Sequence, residues 1–329
     1  METIVEKAKR NFRNKFISIF RNKKFYKYIY FSYWHGKIFH KRSINSLNKM
    51  YFTARPNPGA GIGHQMANWI AGYWFAKYFD LNFAHIPFFS SKWEKFLGFY
   101  QGEKTVNELK KEGYHIVRLP TFDEYNEEDV SLIKTIIKSY VGKKVVFLAE
   151  QDQFYHDQYG VIKELQEKFY TAPARKKDKL IYDSNAFNIA IHVRRGDILQ
   201  EPGKDNVNLS MRYQKNDYFV KALNTALEYL KDKDNIQIYL FSQGKIQDFS
   251  EFFEFENLHF CLDMNAQESF LHMVYADALI TSKSSFSYKP ALLSHGIKFC
   301  PSYFWHGYPH SKDWITLSKE GAIDFRSNR

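Results

Sequence analysis

The stretch Phe187-Asn188-Ile189-Ala190-Ile191-His192-Val193-Arg194-Arg195-Gly196-Asp197 carries the most informative pattern in this 329-residue chain. Residues 187–193 form a mostly apolar run with the length of a buried strand. Two arginines follow at once, and ligands of open α/β proteins bind at the carboxyl edge of a parallel sheet. Arginine suits phosphate because its planar fork is always charged and bonds bidentately. The stretch predicts an anion site at a strand end, with a structural Arg–Asp pair as the alternative.

Strands and helices alternate on both sides of this stretch. In the second half we predict strands at 187–193, 236–241, 258–262, 278–281 and 297–300, and helices at 217–231, 266–275 and 285–293. In the first half we predict strands at 51–55, 81–85 and 144–148, and helices at 64–79 and 127–140. Such alternation is typical of βαβ units and parallel sheets. The sequence therefore predicts an α/β fold with two Rossmann-like domains, at 51–180 and 181–329, the C-terminal segment being a candidate to cross back to the first.

Two further stretches have features of anion sites. Gly59-Ala60-Gly61-Ile62-Gly63-His64-Gln65-Met66 places glycines before a predicted helix, where the backbone can approach a ligand and free amides attract phosphate. Asp277-Ala278-Leu279-Ile280-Thr281-Ser282-Lys283-Ser284-Ser285-Phe286-Ser287 leads from a predicted strand into a helix start rich in hydroxyls. Each has an ordinary alternative, a tight strand–helix turn for the first and helix capping for the second.

Together and in this order, the three stretches resemble the α1,2-, α1,6- and protein O-fucosyltransferases. The shared mark of that superfamily is His-x-Arg-Arg-x-Asp after a strand, which residues 192–197 match. The resemblance implies a glycosyltransferase of the GT-B type. It also implies that Arg194 binds the pyrophosphate of GDP-fucose and stabilises the departing GDP. Arg195 and Asp197 would support that site, and His192 would lie near the nucleotide.

The other two stretches extend the resemblance and also mark its departures. Their matching residues imply further donor contacts at Gly61, Gly63, Gln65, Ser285 and Ser287. His64 stands where the α1,2 branch commonly has Asn. Ser242-Gln243-Gly244 stands where relatives usually have an acidic residue. The departures concern the branch of the superfamily and the details of nucleotide or acceptor binding.

Carboxylates supply the candidate base, which direct displacement with inversion needs for the acceptor hydroxyl. Glu201 lies close to the position at which α1,6 relatives carry a proposed catalytic Glu; a surface carboxylate is the alternative. Asp205 and Asp217 are competitors. Glu268, near the start of a predicted helix, could pair with guanine or simply complement the helix dipole.

The net charge of +11 is confined to the first 50 residues. They hold 13 of the 47 Lys and Arg but only 2 of the 36 acidic residues, so the remainder carries 34 of each. Apolar residues at 12, 16, 19 and 20 form a helical stripe among these bases. We predict a basic aromatic N-terminal arm at 1–50 that contacts an anionic membrane surface. An extension folding back on the body is the alternative, and nothing resembles a nucleic-acid-binding signature.

The rest of the sequence limits the chemistry and the compartment. Two cysteines, Cys261 and Cys300, exclude a disulfide framework and favour a reducing cytoplasm. Metal-ligand spacings, a P-loop and an Asp-x-Asp strand end are absent, so we expect a metal-independent enzyme without a cofactor.

The sequence thus predicts an inverting glycosyltransferase that moves L-fucose from GDP-fucose to a glycan hydroxyl. The acceptor would belong to a bacterial-type surface polysaccharide or lipid-linked oligosaccharide, and the enzyme would lie peripherally at the inner face of the membrane. The alternatives are another nucleotide-linked sugar, or a phosphate-binding protein of another class.

Overall fold

The computed structural model describes residues 4–21, 23–41, 50–57, 59–150, 155–196, 212–262 and 264–324. They divide into two compact units. Unit 1 draws on Met1–Asn57, Ala67–Pro87 and Gly102–Tyr155, and unit 2 on Pro58–Met66, Phe88–Gln101 and His156–Arg329. The boundary therefore falls near Tyr155 and not near residue 180, and two short segments of the first half of the chain belong to unit 2.

Unit 1 contains a five-stranded parallel sheet. Its strands are β1 (Tyr51–Ala54), β2 (Asn82–His85), β3 (Lys104–Thr105), β4 (His115–Arg118) and β5 (Val145–Ala149), in the order β3-β2-β1-β5-β4. Its helices are α1 (Ile4–Phe20), α2 (Phe31–Phe39), α3 (Ile62–Tyr78, in this unit from Ala67 onward), α5 (Val106–Lys111) and α6 (Glu127–Ser139), whereas α4 (Ser91–Leu97) belongs to unit 2. Strand β5 is apolar and buried throughout, as a central parallel strand should be.

Helix α2, which belongs to the predicted N-terminal arm, is built into unit 1. Helix α2 lies against α6, where His35 Nδ1 and Ser139 Oγ are 2.8 Å apart and the His35 ring stacks on Tyr140. The Ser32 hydroxyl also donates to the carbonyl of Arg118, the last residue of β4. Residues 31–39 are therefore part of the fold, in agreement with the alternative that this segment folds back on the body.

Unit 2 contains a six-stranded sheet, also parallel throughout. Its strands are β6 (Phe187–His192), β7 (Ile236–Phe241), β8 (Leu258–Cys261), β9 (Ala278–Ile280), β10 (Ile297–Pro301) and β11 (Trp314–Leu317). Its longer helices are α7 (Ile162–Thr171), α8 (Asn216–Tyr229), α9 (Ala266–Tyr275) and α10 (Ser285–Leu293). Short 3-10 helices lie at Tyr26–Ile29 in unit 1 and at Gln158–Val161, Pro173–Lys177 and Ile246–Phe252 in unit 2.

The strand order of unit 2 is β11-β10-β9-β6-β7-β8. Counted from β6 as the first strand, this is the 3-2-1-4-5-6 order of a Rossmann fold, with its switch point between β6 and β9. The core contains Ile189 and Ile191 of β6, packed with Phe219 and Leu223 of α8. The predicted α/β class with two Rossmann-like halves is confirmed.

Two details of the sequence prediction need correction. Strand β11 pairs with β10, so the described C-terminal segment stays in unit 2 and does not cross back. The polar stretch 172–185, which spans the domain boundary predicted at residue 180, lies within unit 2 and contains a 3-10 helix in which Arg175 lies over the ring of Phe169. In the described residues no helix is both long and apolar enough to cross a membrane.

Candidate active site

A cavity of about 450 Å³ lies at the carboxyl ends of β6 and β7 and reaches the first turns of α9 and α10. In a Rossmann-ordered sheet, ligands bind in the crevice at this edge. Polar and apolar side chains share the lining: His192, Val193, Arg194, Arg195, Gly196, Phe241, Ser242, Gln243, Met264, Ala266, Ser269 and Phe286. The position and size fit a small-molecule site.

Arg194 contributes a charged group to this cavity. It follows β6 by two residues and is half-buried, and its Nη1 donates to Ser284 Oγ over 3.1 Å. Ser284 is the N-cap of α10, where its hydroxyl also accepts from the Phe286 amide at 3.2 Å. The guanidinium therefore lies beside a helix N-terminus, whose partial positive charge adds to its own. The combination favours an anion such as a diphosphate.

Arg195, the next residue, is bonded into the protein. It is 6% exposed, its Nη2 donates to Asn216 Oδ1, and its Nη1 donates to the Arg194 carbonyl at 2.8 Å. The Asn216 amide donates in turn to Glu251 at 2.9 Å. The Tyr213 ring lies 4.8 Å from the guanidinium carbon. Arg195 thus holds the backbone of Arg194 in place.

His192 ends β6 as a buried, neutral imidazole. Its Nδ1 lies 2.8 Å from Ser282 Oγ, and the residue is 7% exposed. Burial, reinforced by the charges of Arg194 and Arg195, lowers the pKa of His192 to about 3. At neutral pH the ring therefore positions the loop after β9 by hydrogen bonding and adds no charge to the cavity.

The glycine-rich stretch packs against the start of α10. A Cβ atom at Gly63 would lie 2.6 Å from the Ser285 carbonyl, so only glycine permits this approach. Gly61, by contrast, has nothing within 4 Å of such an atom. Gln65 is buried; its amide donates to the Ala60 carbonyl at 2.8 Å, and its Oε1 accepts from a backbone amide. None of the three lines the 450 Å³ cavity.

The serines of the third stretch are placed differently from their predicted roles. Ser287 is fully buried and its hydroxyl accepts from the Ser282 amide at 3.2 Å, so it shapes the loop. Ser285 is half-buried beside Gly63. Ser284, which the sequence analysis did not single out, contacts Arg194 instead. Its signal was available, since a serine directly before a predicted helix is a typical N-cap.

The loop after β7 carries Ser242-Gln243-Gly244, where the sequence departs from the family pattern. Ser242 Oγ donates to the Val193 carbonyl at 2.7 Å and ties this loop to the end of β6. A Cβ atom at Gly196 would lie 1.9 Å from Gln243 Oε1, and Gly196 has a φ of +75°. The two loops therefore depend on each other, and Gln243 is a cavity residue that motif matching missed.

The carboxylates separate into two groups. Asp197, Glu201 and Asp205 lie outside the described residues. Asp217 and Glu268 are exposed in the first turns of α8 and α9, and neither lines the cavity, to which α9 contributes Ala266 and Ser269. The guanine-binding role of Glu268 thus gains no support from its position. Among the described residues, no three His, Cys, Asp or Glu side chains form a group that could hold a metal ion.

Comparison with known proteins gives similarity at the level of solved structures. No family model matches the chain, and no curated protein matches it. Similar structures include POFUT1 in complex with GDP-fucose, with a TM-score of 0.44 and 11% identity over 76% of this chain and 97% of that one. The NodZ α-1,6-fucosyltransferase soaked with GDP-fucose gives 0.40 and 11%, over 79% and 97%. The E. coli heptosyltransferase WaaC with ADP-2-deoxy-2-fluoro heptose gives 0.36 and 9%, over 82% and 92%.

Proposed function

We propose that this protein is an inverting glycosyltransferase of the GT-B type that transfers L-fucose from GDP-fucose to a glycan hydroxyl. The observation that carries the proposal is Arg194. It follows the first strand of a Rossmann-ordered sheet within a His-x-Arg-Arg-Gly-Asp sequence, and it shares the cavity edge with the N-terminus of α10. This arrangement supports recognition of a diphosphate.

The chemistry required of these residues is stabilisation of a leaving group. The acceptor oxygen attacks C1 of the sugar from the face opposite the diphosphate, and the C1–O bond breaks with its electron pair passing to GDP. Arg194 and the positive end of the α10 dipole would stabilise the charge that develops on the diphosphate. The acceptor proton passes to a base, for which Glu201 remains the candidate.

The lining of the cavity supports a nucleotide. Phe241, Met264 and Phe286 provide apolar surface, and Ser269 and Gln243 provide hydrogen-bonding groups near the charged end. Nucleotide sites commonly combine these features. The base would lie among the apolar side chains while the diphosphate lies at Arg194.

Metal independence is part of the proposal, because Arg194 and a helix N-terminus can neutralise the diphosphate. Turnover should then be unchanged by excess chelator and by added Mg²⁺ or Mn²⁺. A strict requirement for either ion would contradict this part of the mechanism.

The experiment that tests the proposal is a donor panel with the full chain. GDP-fucose, GDP-mannose, UDP-sugars and dTDP-sugars are scored for hydrolysis, and GDP, UDP and ADP for the rise in melting temperature that a ligand of the native state produces. We expect GDP-fucose to be hydrolysed fastest and GDP to stabilise most. Preference for another sugar nucleotide would change the donor but keep the class; no response to any of them would contradict the class.

We also propose that the protein contacts an anionic membrane surface through α1, as an enzyme of surface-polysaccharide or lipid-linked oligosaccharide synthesis on the cytoplasmic side would. Phe12 and Ile19 of α1 are exposed, and the exposed Lys9, Lys15 and Arg21 lie in or directly after the same helix. Exposed apolar side chains among bases favour an anionic interface.

Vesicle cosedimentation tests this surface. Binding to anionic vesicles should be strong at low salt and weaken as salt rises, since the Debye length is only about 8–10 Å near physiological ionic strength. Phe12→Ser combined with Ile19→Ser should weaken it, whereas Phe253→Ser, which removes a 56% exposed phenylalanine from unit 2, should not. Equal binding to neutral vesicles would contradict the electrostatic account.

A further inference from the structure

The sheet of unit 1 has a switch point of its own. From β1 the chain adds β2 and β3 on one side, whereas β5 and β4 lie on the other, so the direction reverses between β1 and β5. Arg55 directly follows β1, and Glu150 directly follows β5. The carboxyl edge at such a point is where open α/β sheets bind ligands.

Three arginines converge on one carboxylate at this edge. The Glu150 Oε1 atom lies 3.2 Å from Arg13 Nη1, 3.8 Å from Arg55 Nη1 and 3.7 Å from Arg118 Nε. The glutamate side chain is only 8% exposed, whereas those of Arg55 and Arg118 are 40% and 50% exposed. One negative charge thus faces three positive charges, two of which remain accessible to a ligand.

The same residues line a cavity of about 1100 Å³. Its wall includes apolar and aromatic side chains of α1, α2 and the turn between them, among them Phe16, Ile17, Ile29 and Phe31. Lys110, Lys143 and Lys144 line it as well, and Glu150 is the one acidic side chain among the described lining residues. The cavity therefore combines a strong positive charge with a long apolar wall.

We propose that this cavity of unit 1 binds the phosphate group and adjoining hydrocarbon chain of an anionic lipid. The phosphate oxygens would accept hydrogen bonds from Arg55 and Arg118, for which the guanidinium fork is well suited. The hydrocarbon would lie along α1 and α2. The site is measured as binding, so it stands or falls independently of the donor chemistry in unit 2.

Calorimetric titration of the full chain with soluble ligands tests the site. The ligands are dihexanoyl phosphatidic acid, geranyl phosphate, inorganic phosphate and dihexanoyl phosphatidylcholine. At least one phosphate amphiphile should bind about tenfold or more tighter than inorganic phosphate, because burial of its chain adds to the ionic contact. A preference for the phosphatidic acid assigns the site to membrane phospholipid, and a preference for geranyl phosphate assigns it to an isoprenoid carrier.

Removing a positive charge and removing the negative charge should change the affinity in opposite directions, which distinguishes a ligand site from a structural ion cluster. Arg55→Gln and Arg118→Gln should each weaken amphiphile binding about tenfold, the worth of one charge-assisted hydrogen bond. Glu150→Gln should strengthen it severalfold, because the three arginines lose the carboxylate that competes with the phosphate. Lys177→Gln, which removes an exposed positive charge from unit 2 and lies outside the cavity lining, is the matched control and should leave affinity unchanged.

Three results would overturn the proposal. They are equal affinity for inorganic phosphate and both amphiphiles, equal affinity for the choline lipid, and a Glu150→Gln variant that folds but binds no more tightly. Melting curves establish folding for each variant. Should Glu150→Gln fail to fold, the exposed Arg118→Gln still decides the question, since a purely structural cluster predicts no loss of affinity.

Discussion

The two sheets of this protein place arginines at the same end of their strands but surround them with different partners. In unit 2, Arg194 donates to the neutral hydroxyl of Ser284 beside a helix N-terminus. In unit 1, Arg13, Arg55 and Arg118 surround the buried carboxylate of Glu150. A ligand at Arg194 meets a preorganised positive site, whereas a ligand in unit 1 competes with a carboxylate. Under the two proposals, the topology sets where an anion would bind, and the local partners set how strongly it would bind.

Substitution of Arg194 should have the largest effect and tests whether this arginine is the preorganised anion site of unit 2. Arg194→Ala should lower turnover of the preferred donor by about a hundredfold or more, because one preorganised contact to a developing negative charge is worth about 3 kcal/mol. Arg194→Lys should restore only part of it, since the fork is lost. Steady-state kinetics with melting curves measure the effect, with Arg21→Ala as the control. Near-normal turnover of Arg194→Ala would refute the proposed function.

Two glycines at the start of α3, Gly61 directly before the helix and Gly63 in its first turn, give the next effect, which concerns the packing that supports the unit 2 site. Gly63→Ala places a methyl group 2.6 Å from the Ser285 carbonyl and should cost about 3 kcal/mol of unfolding free energy. Gly61→Ala meets nothing within 4 Å and should change stability by less than about 0.5 kcal/mol. Urea denaturation measures both. Equal stability of the two variants would contradict the described contact.

The strands and helices of the two units show what a sequence pattern predicts and what it leaves open. Alternating strands and helices predicted the parallel sheets and most bounds of unit 2, because buried strands there are continuous apolar runs. The two-residue β3 is too short to produce a pattern. The place of α2 depends on partners about a hundred residues away, such as Ser139 for His35, which local periodicity does not report.

The candidate site also has features that the sequence predicted and features that only the structure shows. The arginine motif predicted the strand end and its charge, and the structure brings His192 and Arg194 to the start of α10 through Ser282 and Ser284. Which serine of the third stretch contacts Arg194 depends on the rotation of the helix start; the contact is made by Ser284, whereas the family resemblance implied donor contacts at Ser285 and Ser287. The roles of Glu201 and Asp197 stay predictions.

The free energy of unfolding should fall at acid pH because unit 2 buries His192 as a neutral imidazole. Because the pKa of His192 is about 3 when folded and about 6.5 when unfolded, the unfolded state binds the extra proton as pH falls below 6.5. This group should therefore remove about 2 kcal/mol of stability between pH 7 and pH 5. His192→Asn, which can keep the bond to Ser282, should lose correspondingly less in urea denaturation at the two pH values. The exposed His259→Asn should retain the wild-type difference, and an identical loss in His192→Asn would contradict the assignment.

The smallest effect concerns Glu268, which sharpens the comparison because it is the exposed counterpart of the buried Glu150. Glu268 lies in the first turn of α9, where Asn265 accepts from its backbone amide, and its side chain is outside the cavity lining. Its carboxylate can complement the helix dipole, a contribution of about 0.5 kcal/mol. Glu268→Gln should therefore change the KM for the preferred donor by less than about threefold and leave the preference among GDP, UDP and ADP unchanged. Glu228→Gln, at an exposed glutamate of α8, is the matched control. If the Glu268 carboxylate did bind guanine, Glu268→Gln would raise the KM tenfold or more for GDP donors only. That outcome would restore the role in nucleotide recognition predicted from the sequence.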